Sequence, residues 1–113
     1  MRKLGFRVAR SRTIAALRAG PAYILFEDRA ARESKNLLDT GEVSPEEVVA
    51  MLHRCGGSPD QYCESGHHRE PSIPVHTFKP VLGGTRWYIK VYFLDGTSDL
   101  EPAIFISVHK SEK

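Results

Sequence analysis

Apolar and polar positions alternate most regularly toward the C-terminus. Along Arg86 to Leu94 (RWYIKVYFL), Trp87, Ile89, Val91 and Phe93 share one side, and Arg86, Tyr88, Lys90 and Tyr92 the other. This is the period-two pattern of a half-buried strand. Ala103 to His109 (AIFISVH) repeats it, with Ile104, Ile106 and Val108 on one side and Phe105, Ser107 and His109 on the other. A one-residue slip turns every side chain over, so matching the apolar faces sets the register of an antiparallel hairpin. It pairs Phe93 with Ile104, Val91 with Ile106 and Ile89 with Val108. The polar face then pairs Tyr92 with Phe105, Lys90 with Ser107 and Tyr88 with His109. Val75 to Lys79 alternates more weakly and is stopped by Pro80.

The helices announce themselves by caps and stripes. Ser44-Pro45-Glu46-Glu47 is a capping box with proline at the first helical position. Val48, Leu52 and Cys55 follow at i, i+4 and i+7, and Gly56-Gly57 ends the run, which predicts a helix over 45–54. Ser11 caps a second helix to about Ala19, stopped by Gly20-Pro21. The apolar run Ala22 to Phe26 is short, which favours a strand, and 27–38 is rich in helix formers. Ser58 to Pro74 is polar and turn-rich and reads as one long connection. The expected fold is α+β, a small twisted antiparallel sheet packed on one side by two or three helices, with residues 1–113 as a single domain.

Composition narrows the class. The 113 residues are 41% hydrophobic and 27% charged, ordinary globular values that argue against disordered, collagenous or disulfide-framework chains. No run approaches the ~18 apolar residues of a membrane helix. The formal net charge is only +2, yet residues 1–20 hold six Lys or Arg and no acid. That segment suits phosphate contact or, more plainly, a solvated helix face. The basic N-terminus lacks the apolar core of a signal peptide, and Cys55 and Cys63 are the two cysteines, so the expected setting is cytoplasmic with free thiols. No P-loop, dinucleotide-binding, nucleophile-elbow or HExxH motif is present, and no cofactor is expected.

The polar hairpin face carries the chemistry. Cations neutralise phosphate, tyrosine stacks and hydrogen-bonds, and histidine moves protons. Arg86, Tyr88, Lys90, Tyr92, Ser107 and His109 on one rigid face suit single-stranded RNA, bound or cleaved. An exposed antiparallel face is polar in any case, so a non-catalytic module binding nucleic acid or protein stands beside the nuclease reading. A second constellation, Cys55, Cys63, His67 and His68, offers four zinc-type donors. It has no CxxC pair, and Cys55 falls on the apolar stripe, so zinc is not favoured. His67 and His68 read as loop residues or as helpers of the sheet site.

Residues Tyr62 to Lys110 resemble the MqsR family of toxin–antitoxin ribonucleases. The matching elements are a helix before a tyrosine-containing loop, the aromatic–basic–Pro step Phe78-Lys79-Pro80, the strand Trp87-Tyr88-Ile89-Lys90 and the ending Ser107-Val108-His109-Lys110-Ser111-Glu112-Lys113. The resemblance implies a RelE-like fold and mRNA cleavage without a metal, silenced by a cognate antitoxin. It places Tyr88 and Lys110 on functional family positions. The family's loop lysine falls on Cys63, its glutamine on Val75 and a loop histidine on Pro71. Either His67, His68 or His76 then takes over proton transfer, or catalysis is altered or absent. The expected catalytic set is Tyr88, His109, Lys110 and His76, with Lys79, Arg86, Lys90, His67 and His68 as RNA or phosphate ligands.

Overall fold

The computed structural model describes residues 4–27 and 36–111. The hairpin of β5 (Thr85–Phe93) and β6 (Ala103–Lys110) is the centre of a sheet ordered β1-β6-β5-β3-β2. β1 is Ile24–Phe26, β2 is Tyr62–Gly66 and β3 is Pro74–Phe78; the short β4 (Val81–Leu82) folds back on the start of β5. The helices are α1 (Phe6–Ala19), the single turn α2 (Leu37–Thr40) and α3 (Pro45–His53). The α+β class and the helix-backed sheet match the pattern of the sequence. The sheet is mixed rather than wholly antiparallel, because β1 runs parallel to β6.

Local chemistry accounts for the helices. In α3 the Ser44 hydroxyl accepts from Glu47 N at 3.1 Å and the Glu47 carboxylate accepts from Ser44 N at 2.8 Å, closing the capping box. Val48, Val49, Met51 and Leu52 are buried and Cys55 follows just beyond the helix end. α1 starts five residues earlier than Ser11, from Gly5 at φ 83°. Its inner face is Ala9, Thr13, Ala16 and Leu17, an i, i+4, i+7, i+8 stripe that the arginines between obscure. The Arg10 guanidinium donates to the Cys55 carbonyl at 3.2 Å, tying α1 to the end of α3. Of the helix expected over 27–38, residues 28–35 lie outside the described residues; Glu27 N donates to Phe105 O, prolonging β1, and α2 begins at Leu37.

The core lies between the helices and one face of the sheet. Phe78, Ile89, Val91, Phe93, Ala103, Phe105 and Val108 supply the sheet's share. The hairpin register follows the expectation for Tyr88–His109, Ile89–Val108 and Lys90–Ser107, and then departs from it. A β-bulge leaves β6 one residue out of step, so Val91 faces Phe105, Tyr92 faces Ile104 and Phe93 faces Ala103. Beyond the bulge the parity of β6 reverses, and the large Phe105 ring, fully buried, turns into the core in place of Ile104 and Ile106. The long connection expected over 58–74 contains β2, which pairs with β3 from Tyr62–Phe78 to Gly66–Pro74. Among the described residues no helix is long and apolar enough to cross a membrane.

Candidate functional site

Strand alternation sorts the expected site residues onto two faces. Tyr88 and His109 face each other across β5 and β6 on the side away from the helices, rings stacked with centres 5.4 Å apart and planes at 29°. One step along, Cys63, Thr77, Lys90 and Ser107 form a continuous row across four strands. Tyr88, Ser107 and His109 are half-buried, and Lys90 and Cys63 are exposed. A phenol, an imidazole, an ammonium and a hydroxyl thus share one accessible patch on rigid strands.

The orientation of His109 fixes its chemistry. Its Nδ1 lies 2.9 Å from the Lys110 carbonyl oxygen. A carbonyl only accepts, so Nδ1 carries the hydrogen and the neutral ring keeps its lone pair on Nε2. Nε2 is therefore the nitrogen able to take a proton.

Two of the expected catalytic residues lie elsewhere. Lys110 pairs with Trp87, one step from Tyr88–His109, and so emerges on the opposite face, its ammonium 5.7 Å from the Trp87 ring centre. His76 pairs with Val91 and points to the helix side, 1% exposed, its ring 5.5 Å from that of Phe93. There it joins a buried network. His76 Nδ1 lies 2.9 Å from the Tyr62 hydroxyl, and that hydroxyl lies 3.1 Å from Glu64 Oε1. Glu64 also accepts from Gly5 N at 3.3 Å, which ties the start of α1 to β2. Burial lowers the His76 pKa to about 4 against the opposing pull of Glu64. Burial first, and the Glu64 charge second, raise that of Tyr62.

The remaining cations are unequal. Lys79 leaves β3 half-buried, and Arg86 donates to the Asp60 carbonyl at 2.7 Å. The Asp60 carboxyl is held below its ordinary range by the Ser58 hydroxyl first, with the Arg86 and Lys79 charges contributing. Lys90, exposed in the middle of the patch, is the cation best placed for a phosphate.

The other end of the outer face is closed. Val75, Ile104 and Ile106 are each at most 6% exposed. Over Tyr92 sits His67, ring centres 5.1 Å apart and edge-on. His67 Nε2 is 2.6 Å from Glu27 Oε1, and its Nδ1 accepts from Arg69 N at 3.0 Å. Tyr92 also hydrogen-bonds Glu27, and burial first, then the Glu27 charge, raise its pKa. The turn that presents these histidines closes over Gly66, where a Cβ would lie 2.7 Å from the Pro71 carbonyl oxygen. Glu27 is a site residue that the sequence reading missed; it looked like one more acid at the start of a helix.

Glu27, His67 and His68 hold their ligating atoms within 4.8 Å of one another, the one such group among the described residues. The donor set does not suit a metal as it stands. Nδ1 of His67 accepts a backbone N–H, so Nε2 carries the hydrogen and has no lone pair for a cation. The four-donor set Cys55, Cys63, His67 and His68 does not converge either. Cys55 is buried at the end of α3, its thiol raised chiefly by burial, whereas Cys63 is exposed on the outer face.

Comparison with protein-family models, with curated proteins and with solved structures finds no match for this chain.

Proposed function

We propose that the outer sheet face is the working surface of an endoribonuclease of the toxin type, cleaving single-stranded mRNA by metal-independent acid–base chemistry. The observation that carries this reading is the Tyr88–His109 stack with its fixed tautomer, beside Lys90 on an accessible face. His109 Nε2 takes the ribose 2′-OH proton, and the freed oxygen bonds to the adjacent phosphorus. The bond from phosphorus to the 5′-oxygen breaks, and the Tyr88 hydroxyl gives that oxygen its proton. The products are a 2′,3′-cyclic phosphate and a 5′-hydroxyl end. Lys90, with Lys79 and Arg86 at the rim, balances the charge that grows on the phosphoryl oxygens. The resemblance to MqsR toxins supports the same assignment and brings with it a RelE-like fold and a cognate antitoxin. Leu94 and Leu100, 67% and 48% exposed on the β5–β6 loop, offer such a partner an apolar contact.

The displacement of Lys110 and His76 from the patch favours a second reading, a module that binds RNA or a protein on this face without cleaving. A labelled single-stranded RNA, incubated with purified protein in EDTA, separates the two. Cleavage lost in His109→Ala and Tyr88→Phe supports the nuclease. Binding that leaves the RNA intact supports the module.

A further inference from the structure

On the outer face an exposed histidine ring is stacked on a buried one. His68 lies nearly parallel to His67, ring centres 4.6 Å apart and planes at 21°, and the residue is exposed. His67 beneath it is 6% exposed and held at three points: Nε2 to Glu27, Nδ1 from the Arg69 backbone, and its edge against Tyr92. An exposed flat ring held against a fixed one is pre-organised for another flat ring, because little side-chain freedom remains to be lost on stacking. Nucleobases have such π-faces, and aromatic platforms are how single strands are held without base pairing.

We infer that His68 is a nucleobase-stacking residue, and that Glu27, His67 and Tyr92 are positioning residues that hold its ring in place. The inference rests on the reading of this face as an RNA surface and locates a base along it. Tyr92, under the platform, is four residues from Tyr88 on β5, about 13 Å at ~3.3 Å per residue. The stacked base is therefore a neighbour of the scissile step rather than part of it. RNA bound at both places runs along β5, past Lys90 on the way.

Fluorescence anisotropy with short labelled oligoadenylate, and with an abasic ribose–phosphate oligomer of the same length, tests this. His68 is exposed, so His68→Ala leaves the fold intact. Removing one aromatic platform weakens oligoadenylate binding by about 5- to 150-fold. Binding of the abasic oligomer stays unchanged, and His68→Phe restores oligoadenylate affinity. Glu27→Ala weakens oligoadenylate binding in the same direction with no effect on the abasic oligomer, as expected of a residue acting through His67. If the wild type binds oligoadenylate and His68→Ala binds it equally well, the stacking role is overturned and the RNA surface stands. Equal loss on both oligomers overturns it too, since the ring would then serve the backbone. If the wild type binds neither, both readings fall.

Discussion

Acidification is expected to loosen this protein through one buried ring. His76 is 1% exposed, and burial lowers its pKa from an ordinary 6.5 to about 4. The unfolded chain takes a proton on this histidine near pH 6.5, and the native protein does not until near pH 4. Between those values the unfolded state binds more protons, so stability is fully present above about 6.5 and falls as the pH drops toward 4. At about 1.4 kcal/mol per pH unit, the 2.5-unit gap is worth about 3 kcal/mol in all. About 2 kcal/mol of it is lost between about pH 7.5 and pH 5, above the range where most carboxylates titrate. Urea denaturation reads the change as a midpoint lowered by roughly 1–2 M. His76→Gln keeps a neutral polar group at the site and removes the titration, so its midpoint changes less over the same interval. A wild-type midpoint that does not move, or a His76→Gln slope equal to the wild-type slope, refutes the reasoning.

Further outcomes follow from the same structure. Ser44→Ala opens the capping box of α3 and costs about 1 kcal/mol in urea denaturation. Phe105→Ala removes the fully buried ring that the β-bulge turns into the core and costs about 3–5 kcal/mol, read as a lower thermal midpoint. Lys110→Ala leaves RNA cleavage within a few-fold of wild type, because Lys110 lies on the face away from Tyr88 and His109. Lys90→Ala weakens RNA affinity and flattens its dependence on salt, as loss of one phosphate contact requires, measured by anisotropy across a salt series.

The half of the hairpin nearest Tyr88 was legible because its alternation is unambiguous: Ile89 and Val108 on one side, Lys90 and Ser107 on the other. The half beyond Ser107 was not. Ala103 to Ile106 are all apolar, so parity there carries no information, and the bulge is decided by packing, which seats Phe105 against the helices. The same alternation already set Lys110 opposite to His109, a consequence that the family resemblance outweighed. His76 needed the pairing of β3 with β5, which no local pattern reveals. β2 was hidden because an edge strand with Cys63 and Ser65 outward and Glu64 inward reads as loop. Its inward glutamate makes sense only beside Tyr62, His76 and the start of α1. Glu27 was invisible for a related reason: its partners His67 and Tyr92 are distant in sequence and meet it across the outer face.

The chemistry of the product ends tests the central claim most directly. Purified protein and a defined single-stranded RNA are incubated in EDTA, and the fragments are identified by mass spectrometry. A 2′,3′-cyclic phosphate on one fragment and a 5′-hydroxyl on the other, both absent with His109→Ala, are the predicted result. A 5′-phosphate end, or the same fragments from the His109→Ala protein, contradicts the account.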